Sequence, residues 1–181
     1  MKFLPYEHLK IITALGSEEV FKRLDNTIEP QRYFRLFGSG IKPYQGSVEG
    51  SHFEISRIIG YANGFLPVIT GDVQSEVSGC SISITMCPSI PVTVFMMIWL
   101  GSVTLVFLGT LYYTFISPLT GPHTTDPSPL LIPAGMFALG YALFLGGFKL
   151  ESIPSKKFFQ KLFEAREVEE MGIANSFEKA G

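Results

Sequence analysis

Two stretches of the chain contain no Asp, Glu, Lys, Arg or His, and they limit the possible folds more than any other feature. Val92–Ile116 has 25 residues and Leu130–Phe148 has 19. At 1.5 Å per residue these make helices of roughly 37 and 28 Å, against a hydrocarbon core of about 30 Å. Two apolar helices of a soluble protein need a large remainder to wrap them, and a chain of 181 residues leaves none. Both stretches therefore read as membrane spans. Pro133 falls in the first turn of the second, where its missing N–H costs nothing. Tyr112 and Tyr113 suit the headgroup layer at the end of the first span. Trp99, nearer its start, fits a packing role as well.

Cation placement sets the orientation. Eight of the 14 Lys and Arg precede Val92, none lies in Ser117–Pro129, and six follow Phe148. Lys149, Lys156, Lys157 and Lys161 are closest to a span and weigh most. Both termini are expected in the cytoplasm, with the loop SPLTGPHTTDPSP on the far side of the membrane. The start, MKFLPYEHLKII, lacks the apolar run and cleavage site of a secretory signal. With 14 Lys and Arg against 16 Asp and Glu, no nucleic-acid partner is expected. Two cysteines make no disulfide framework.

Ahead of the spans the periodicity predicts a small α+β module. Residues 1–16 read as an extended lead-in, and Ser17 as the N-cap of a helix over Glu18–Ile28. Val20, Leu24 and Ile28 line one face of that helix, with Phe21 beside them, and Pro30 closes it. The segment RYFRLFGSGIKP follows as a connector. From Tyr44 the period falls to two, predicting strands at 44–48, 52–59, 65–73 and 79–87 in an antiparallel meander. In the last strand Cys80, Ile82, Ile84 and Met86 alternate with Ser81, Ser83 and Thr85, so one face is wet. The helix is the available cover for the other.

Behind the spans, Ser155–Met171 reads as an amphipathic helix, with Pro154 ending the preceding segment and Ser155 as its cap. Phe158, Phe159, Leu162 and Phe163 form its apolar patch, flanked by Lys156, Lys157 and Lys161. Such a helix suits the cytoplasmic membrane interface, or equally a place on the β-module. The expected organisation is 1–90 cytoplasmic module, 91–150 transmembrane hairpin with spans 92–116 and 130–148, and 151–181 cytoplasmic helix and tail.

Little in the sequence signals chemistry. His8, His52 and His123 cannot meet if His123 lies across the membrane, and Cys80 and Cys87 are an odd seven apart, on opposite strand faces. No CxxC, GxxxxGK[ST], HExxH or GxSxG occurs, so no metal, cofactor or catalytic residue is expected. Neither span has an ionisable group to mark a transport path. Small residues do recur. Ala134, Ala138, Ala142 and Gly146 share one face of the second span, and Gly101 and Gly109 lie two turns apart on the first. These are candidates for close helix packing, within the hairpin or a larger complex. Arg57 shares strand parity with Phe53 and Ile55, so its charge must be paired or turned outward by a bulge. It and Asn63 form the one candidate polar site. Asn63-Gly64 is first of all turn chemistry.

The segment YQGSVEGSHFEISRIIGYANGFLP resembles a pattern in small uncharacterised bacterial membrane proteins with a cytoplasmic β-module and two spans. The matching residues are Tyr44, Gly46, Val48, Phe53, Ile55, Arg57, Ile58, Ile59, Tyr61, Asn63, Phe65, Leu66 and Pro67, then Pro88 and Trp99-Leu100-Gly101. Ala62, Gly64 and Cys87 stand where that family has Arg, Ser and His. The resemblance implies the architecture and supplies no activity. The expected function is a non-enzymatic subunit that binds a membrane or cytoplasmic protein, or a second copy, beside the lipid bilayer. The alternative is a lipid- or small-ligand-sensing module on a membrane anchor.

Overall fold

A computed structural model describes residues 4–30, 42–61, 63–115 and 128–171. Most of the expected connector before Tyr44, most of the loop between the spans, His123 and the tail after Met171 lie outside them. Among the described residues the fold is mixed α+β, with a seven-stranded sheet and three α-helices. It divides into two compact units, Met1–Ser89 with Gly147–Gly181, and Ile90–Gly146.

The first unit holds the sheet. Its strands are β1 (Glu7–Thr13), β2 (Ile28–Pro30), β3 (Tyr44–Glu49), β4 (His52–Arg57), β5 (Pro67–Glu76), β6 (Gly79–Pro88) and β7 (Glu167–Met171). Helix α1 (Ser17–Thr27) joins β1 to β2. The order is β2-β3-β4-β5-β6-β1-β7, antiparallel except at β2–β3. The four expected strands are β3 to β6, paired consecutively. Their first turn, Gly50-Ser51, has a positive φ of 60° at Gly50 alone, as a type II′ hairpin requires. The expected lead-in is corrected in part, since Glu7–Thr13 becomes an inner strand between β6 and β7. The edges are blunted against further pairing. β2 has three residues and ends in Pro30, and β7 reads Glu-Val-Glu-Glu-Met.

Strand parity puts Leu9, Ile11, Phe53, Ile55, Ile69, Ile82, Ile84 and Met86 on one face, all buried. Phe53 lies opposite Gly71, whose missing side chain leaves room for the Phe53 ring. Helix α1 covers part of this face with Val20 and Leu24. Its N-cap is Gly16 rather than Ser17, in extended backbone with no side-chain cap, while Glu18 and Glu19 occupy the first turn as the dipole favours. The rest of the cover is helix α3 (Leu131–Leu162), which alters the expected organisation most. The second span and the expected C-terminal helix are not separate elements. Pro154 lies inside α3, and Ser155 is buried in the helix instead of capping one. The last expected turns, from Glu167, form β7 instead.

The face of α3 turned to the sheet carries Phe148, Glu151, Ser152, Ser155 and Phe159, and Phe163 follows just past the helix end, each fully buried. Phe159 sits 5.3 Å from the Tyr44 ring and 5.9 Å from that of Phe163. Three aromatics bury several hundred Å² of apolar area here, which explains why a polar-looking tail folds back. The helix ends in a Schellman motif. Ala165 N–H donates to Gln160 O, and Glu164 N–H to Lys161 O, with Glu164 left-handed at φ 48°. Arg23 of α1 donates to Leu162 O at 2.8 Å and pairs with Glu164, placing a cation at the negative helix end.

The second unit pairs helix α2 (Ile90–Phe115) with the first half of α3. Both helices are long and apolar enough to cross a membrane, at mean hydropathies of 2.1 and 1.8. Only 11% of either apolar window is buried, unlike the core helix of a soluble protein. Ser102, Thr104 and Thr110 bond carbonyls three or four residues back in α2, so their hydroxyls need no other partner. α2 meets α3 at Gly140, where an added Cβ would lie 3.1 Å from Trp99 Nε1.

Candidate functional site

Arg57 ends β4 on the buried face of the sheet, where an unpaired guanidinium would be costly. The partner is Glu151 of α3: Arg57 Nη1 donates to Glu151 Oε2 at 2.7 Å. Glu151 is wholly buried, and its other oxygen accepts from the Tyr61 hydroxyl. Next to Arg57 across β3–β4, Tyr44 donates to Ser155 Oγ at 3.2 Å. Burial raises the Tyr44 phenol, and the bond to Glu151 raises that of Tyr61, so both keep their protons at neutral pH. Ser152 Oγ is buried with no partner among the described residues.

Two further contacts hold α3. The Asn63 amide donates to Gly147 O at 3.1 Å, while its oxygen accepts from Phe65 N–H at 3.0 Å, the local turn expected of Asn-Gly. Glu7 of β1 pairs with Lys149 and with Lys156, the latter at 3.0 Å. Burial alone would push the Glu7 carboxyl up, but the two ammonium groups outweigh it and hold it below its usual 4.5.

Chemically this constellation is a clasp. Its carboxylate is enclosed by the two groups that bond it, and no metal-binding cluster of His, Cys, Asp or Glu occurs among the described residues. On the opposite sheet face His8 bonds Thr85 Oγ1 at 2.9 Å and Ser83 Oγ at 3.2 Å. Ser83 and His8 have the spacing of a nucleophile and base, but both ring nitrogens bond hydroxyls and among the described residues no carboxylate orients the imidazole. Partial burial lowers its affinity for a proton. Nearby strand amides are committed to the ladders of β1, β5 and β6, so none is aimed at a developing oxyanion. Cys80 faces the core and Cys87 the other side, both free thiols raised by burial.

The other sequence candidates are dispersed. Arg57 and Asn63 both reach α3, Arg57 by pairing and not by a bulge. Phe158, Phe159, Leu162 and Phe163 belong to the sheet core or pack against it, so of the two expected placements they take the one on the β-module and not the interfacial one. Of the flanking cations, Lys156 pairs with Glu7, while Lys157 and Lys161 are exposed. Ala134, Ala138 and Ala142 are exposed, and an added Cβ at Gly101, Gly109 or Gly146 meets nothing within 4 Å. Thr104, Phe107, Ala134 and Phe137 line an apolar cavity of about 340 Å³ in the helix unit. Glu151 and Glu7 were not singled out from sequence, and Tyr44 and Tyr61 entered only as residues of the resemblance. The usable signal was the parity of Arg57, which left a paired charge as one of two outcomes, and Glu151 is the first acid after the second apolar stretch. Comparison with family models, with curated proteins and with solved structures finds no match.

Proposed function

We propose that the chain is a two-span protein of the bacterial inner membrane, both termini cytoplasmic, whose sheet holds a protein partner at the bilayer and performs no chemistry. One observation carries this reading: α3 supplies both the second apolar stretch and Phe148 and Phe159 of the sheet core. Whatever binds the sheet is thereby tethered to a helix that suits a membrane. The available face is the one opposite α3, where His8, Lys10, Thr70, Asp72, Ser83 and Thr85 make a flat polar surface. Its mixed charges and short side chains suit a partner protein, or a second copy, better than a small molecule, which needs a concave site. The test is extraction in mild detergent and identification of what co-purifies. A stoichiometric polypeptide, or a dimer, that is lost on Thr70→Arg with Thr85→Arg while circular dichroism stays unchanged is the expected result. A specific bound lipid in place of a polypeptide would favour the sensing module, and turnover of any added substrate would refute both.

A further inference from the structure

The connection between β4 and β5 differs from the other hairpins of the sheet unit. Gly50-Ser51 and Val77-Ser78 are two-residue turns, all that antiparallel neighbours require. The third connection spans residues 58–66, reads IIGYANGFL, and carries no charge. Ile58, Ile59, Phe65 and Leu66 are partly buried, and Tyr61 is 61% exposed. Two anchors tie this apolar loop to α3. Asn63 bonds Gly147 O, with the Phe65 ring so close that a Cβ on Gly147 would come within 2.7 Å of it. The Tyr61 hydroxyl bonds Glu151. Gly147 and Phe148 are the last residues of the uncharged stretch, and Glu151 lies about 4.5 Å further along the helix. The anchors bracket the level at which α3 turns from apolar to charged.

We propose that residues 58–61 and 63–66 of this loop form a membrane-interface anchor, seated in the headgroup layer beside the cytoplasmic end of α3, with lipid as the occupant of their apolar patch. The proposal rests on reading α3 as a membrane span. Tyr61 has the form the interface favours, an exposed ring whose polar tip is already bonded. A charge-free loop has no ion to desolvate on entry, whereas its apolar side chains in water would be an aggregation hazard. A soluble partner would bury the same side chains. The bond to Gly147 O, however, puts them where the apolar helix ends and lipid is the neighbour at hand.

Trp99, the single tryptophan, reports on α2. Full-length protein in phosphatidylcholine–phosphatidylglycerol nanodiscs would be compared with Trp99→Phe carrying Tyr61→Trp, using lipids bearing nitroxides near the headgroup or at the chain end. The loop indole should be blue-shifted relative to water, quenched more by the shallow nitroxide than by the deep one, and protected from iodide. Adding Asn63→Ala should shift quenching from nitroxide towards iodide. If Tyr61→Trp does not fold, Leu66→Trp in the same background gives the same readout. A loop indole open to iodide, or shielded from iodide yet quenched by neither lipid, overturns the proposal while Trp99 of the unmodified protein is still quenched by lipid. If Trp99 also escapes both lipids, the span reading fails and the anchor with it.

Discussion

In Ile90–Gly146 the hydroxyls of Ser102, Thr104 and Thr110 are satisfied within one helix, and Leu105, Met97 and Ile132 are each more than 70% exposed. In the sheet unit the reverse holds. Arg57 reaches Glu151 across 94 residues, Tyr44 reaches Ser155 across 111, and Phe53, Phe159 and Phe163 are fully buried. One region bonds these hydroxyls within the helix and leaves its apolar surface uncovered, a pattern that suits a lipid surrounding. The other pairs polar groups between distant elements and hides its aromatics, as a chain solvated by water must. α3 runs through both regimes, and the change falls between Gly147 and Glu151.

Removing Arg57 should have the largest effect, because Arg57→Ala leaves the buried Glu151 carboxylate without its cation, at about 3–5 kcal/mol. Melting of the sheet in mild detergent, followed by circular dichroism, measures it. Arg57→Leu with Glu151→Leu should recover most of the loss, since no charge is then stranded. A shift of the single variant too small to resolve would mean that the clasp does not form. Phe159→Ala opens the core at a similar cost of about 3–5 kcal/mol. Phe137→Ala, on a residue 41% exposed in the helix unit, should leave melting unchanged. Equal effects would erase the difference between the two regions.

A smaller loss, about 1–3 kcal/mol, is expected for Gly147→Ala, whose methyl displaces the Phe65 ring. Acidification should weaken the sheet in two stages. The folded imidazole of His8 binds its proton less readily than the usual 6.5, so the unfolded chain protonates first and stability falls as pH drops through that value. The Glu7 carboxyl is held below 4.5, so its contribution is present above that pH and lost below it. Unfolding midpoints of His8→Gln and Glu7→Gln against pH should lose the first and second stage respectively, and unchanged profiles would contradict both environments. The smallest effect on the fold belongs to Ala138→Leu with Ala142→Leu. Both sites are exposed, so sheet melting should hold, while altered migration in detergent would reveal association through that face.

Much of the sheet was legible because the period-two pattern of residues 44–88 does not depend on what covers it. β1 and β7 were not. His8–Thr13 alternates only briefly, and Glu-Val-Glu-Glu-Met fits a solvated helix end as well as an edge strand paired to one neighbour. The polar site was half legible. The parity of Arg57 announced a buried charge, but the position of its anion followed from a helix read as ending before Pro154. Three polar residues, Glu151, Ser152 and Ser155, interrupt the buried stripe of α3, so the stripe does not read as one apolar face.

By itself the sequence determined where apolar length suffices to cross a bilayer, where the strands of residues 44–88 run, and which cation falls on the core parity of its strand. Each is a local property, fixed by the chemistry of a run or by the parity of a strand. Only the tertiary structure decided that Phe158, Phe159, Leu162 and Phe163 meet the sheet, that α3 passes through Pro154, and that the first strand lies inside the sheet. An amphipathic period states that one face must leave water, and it is the same whether lipid or protein receives that face. The choice was made by contacts between residues more than a hundred positions apart, such as Tyr44 with Phe159.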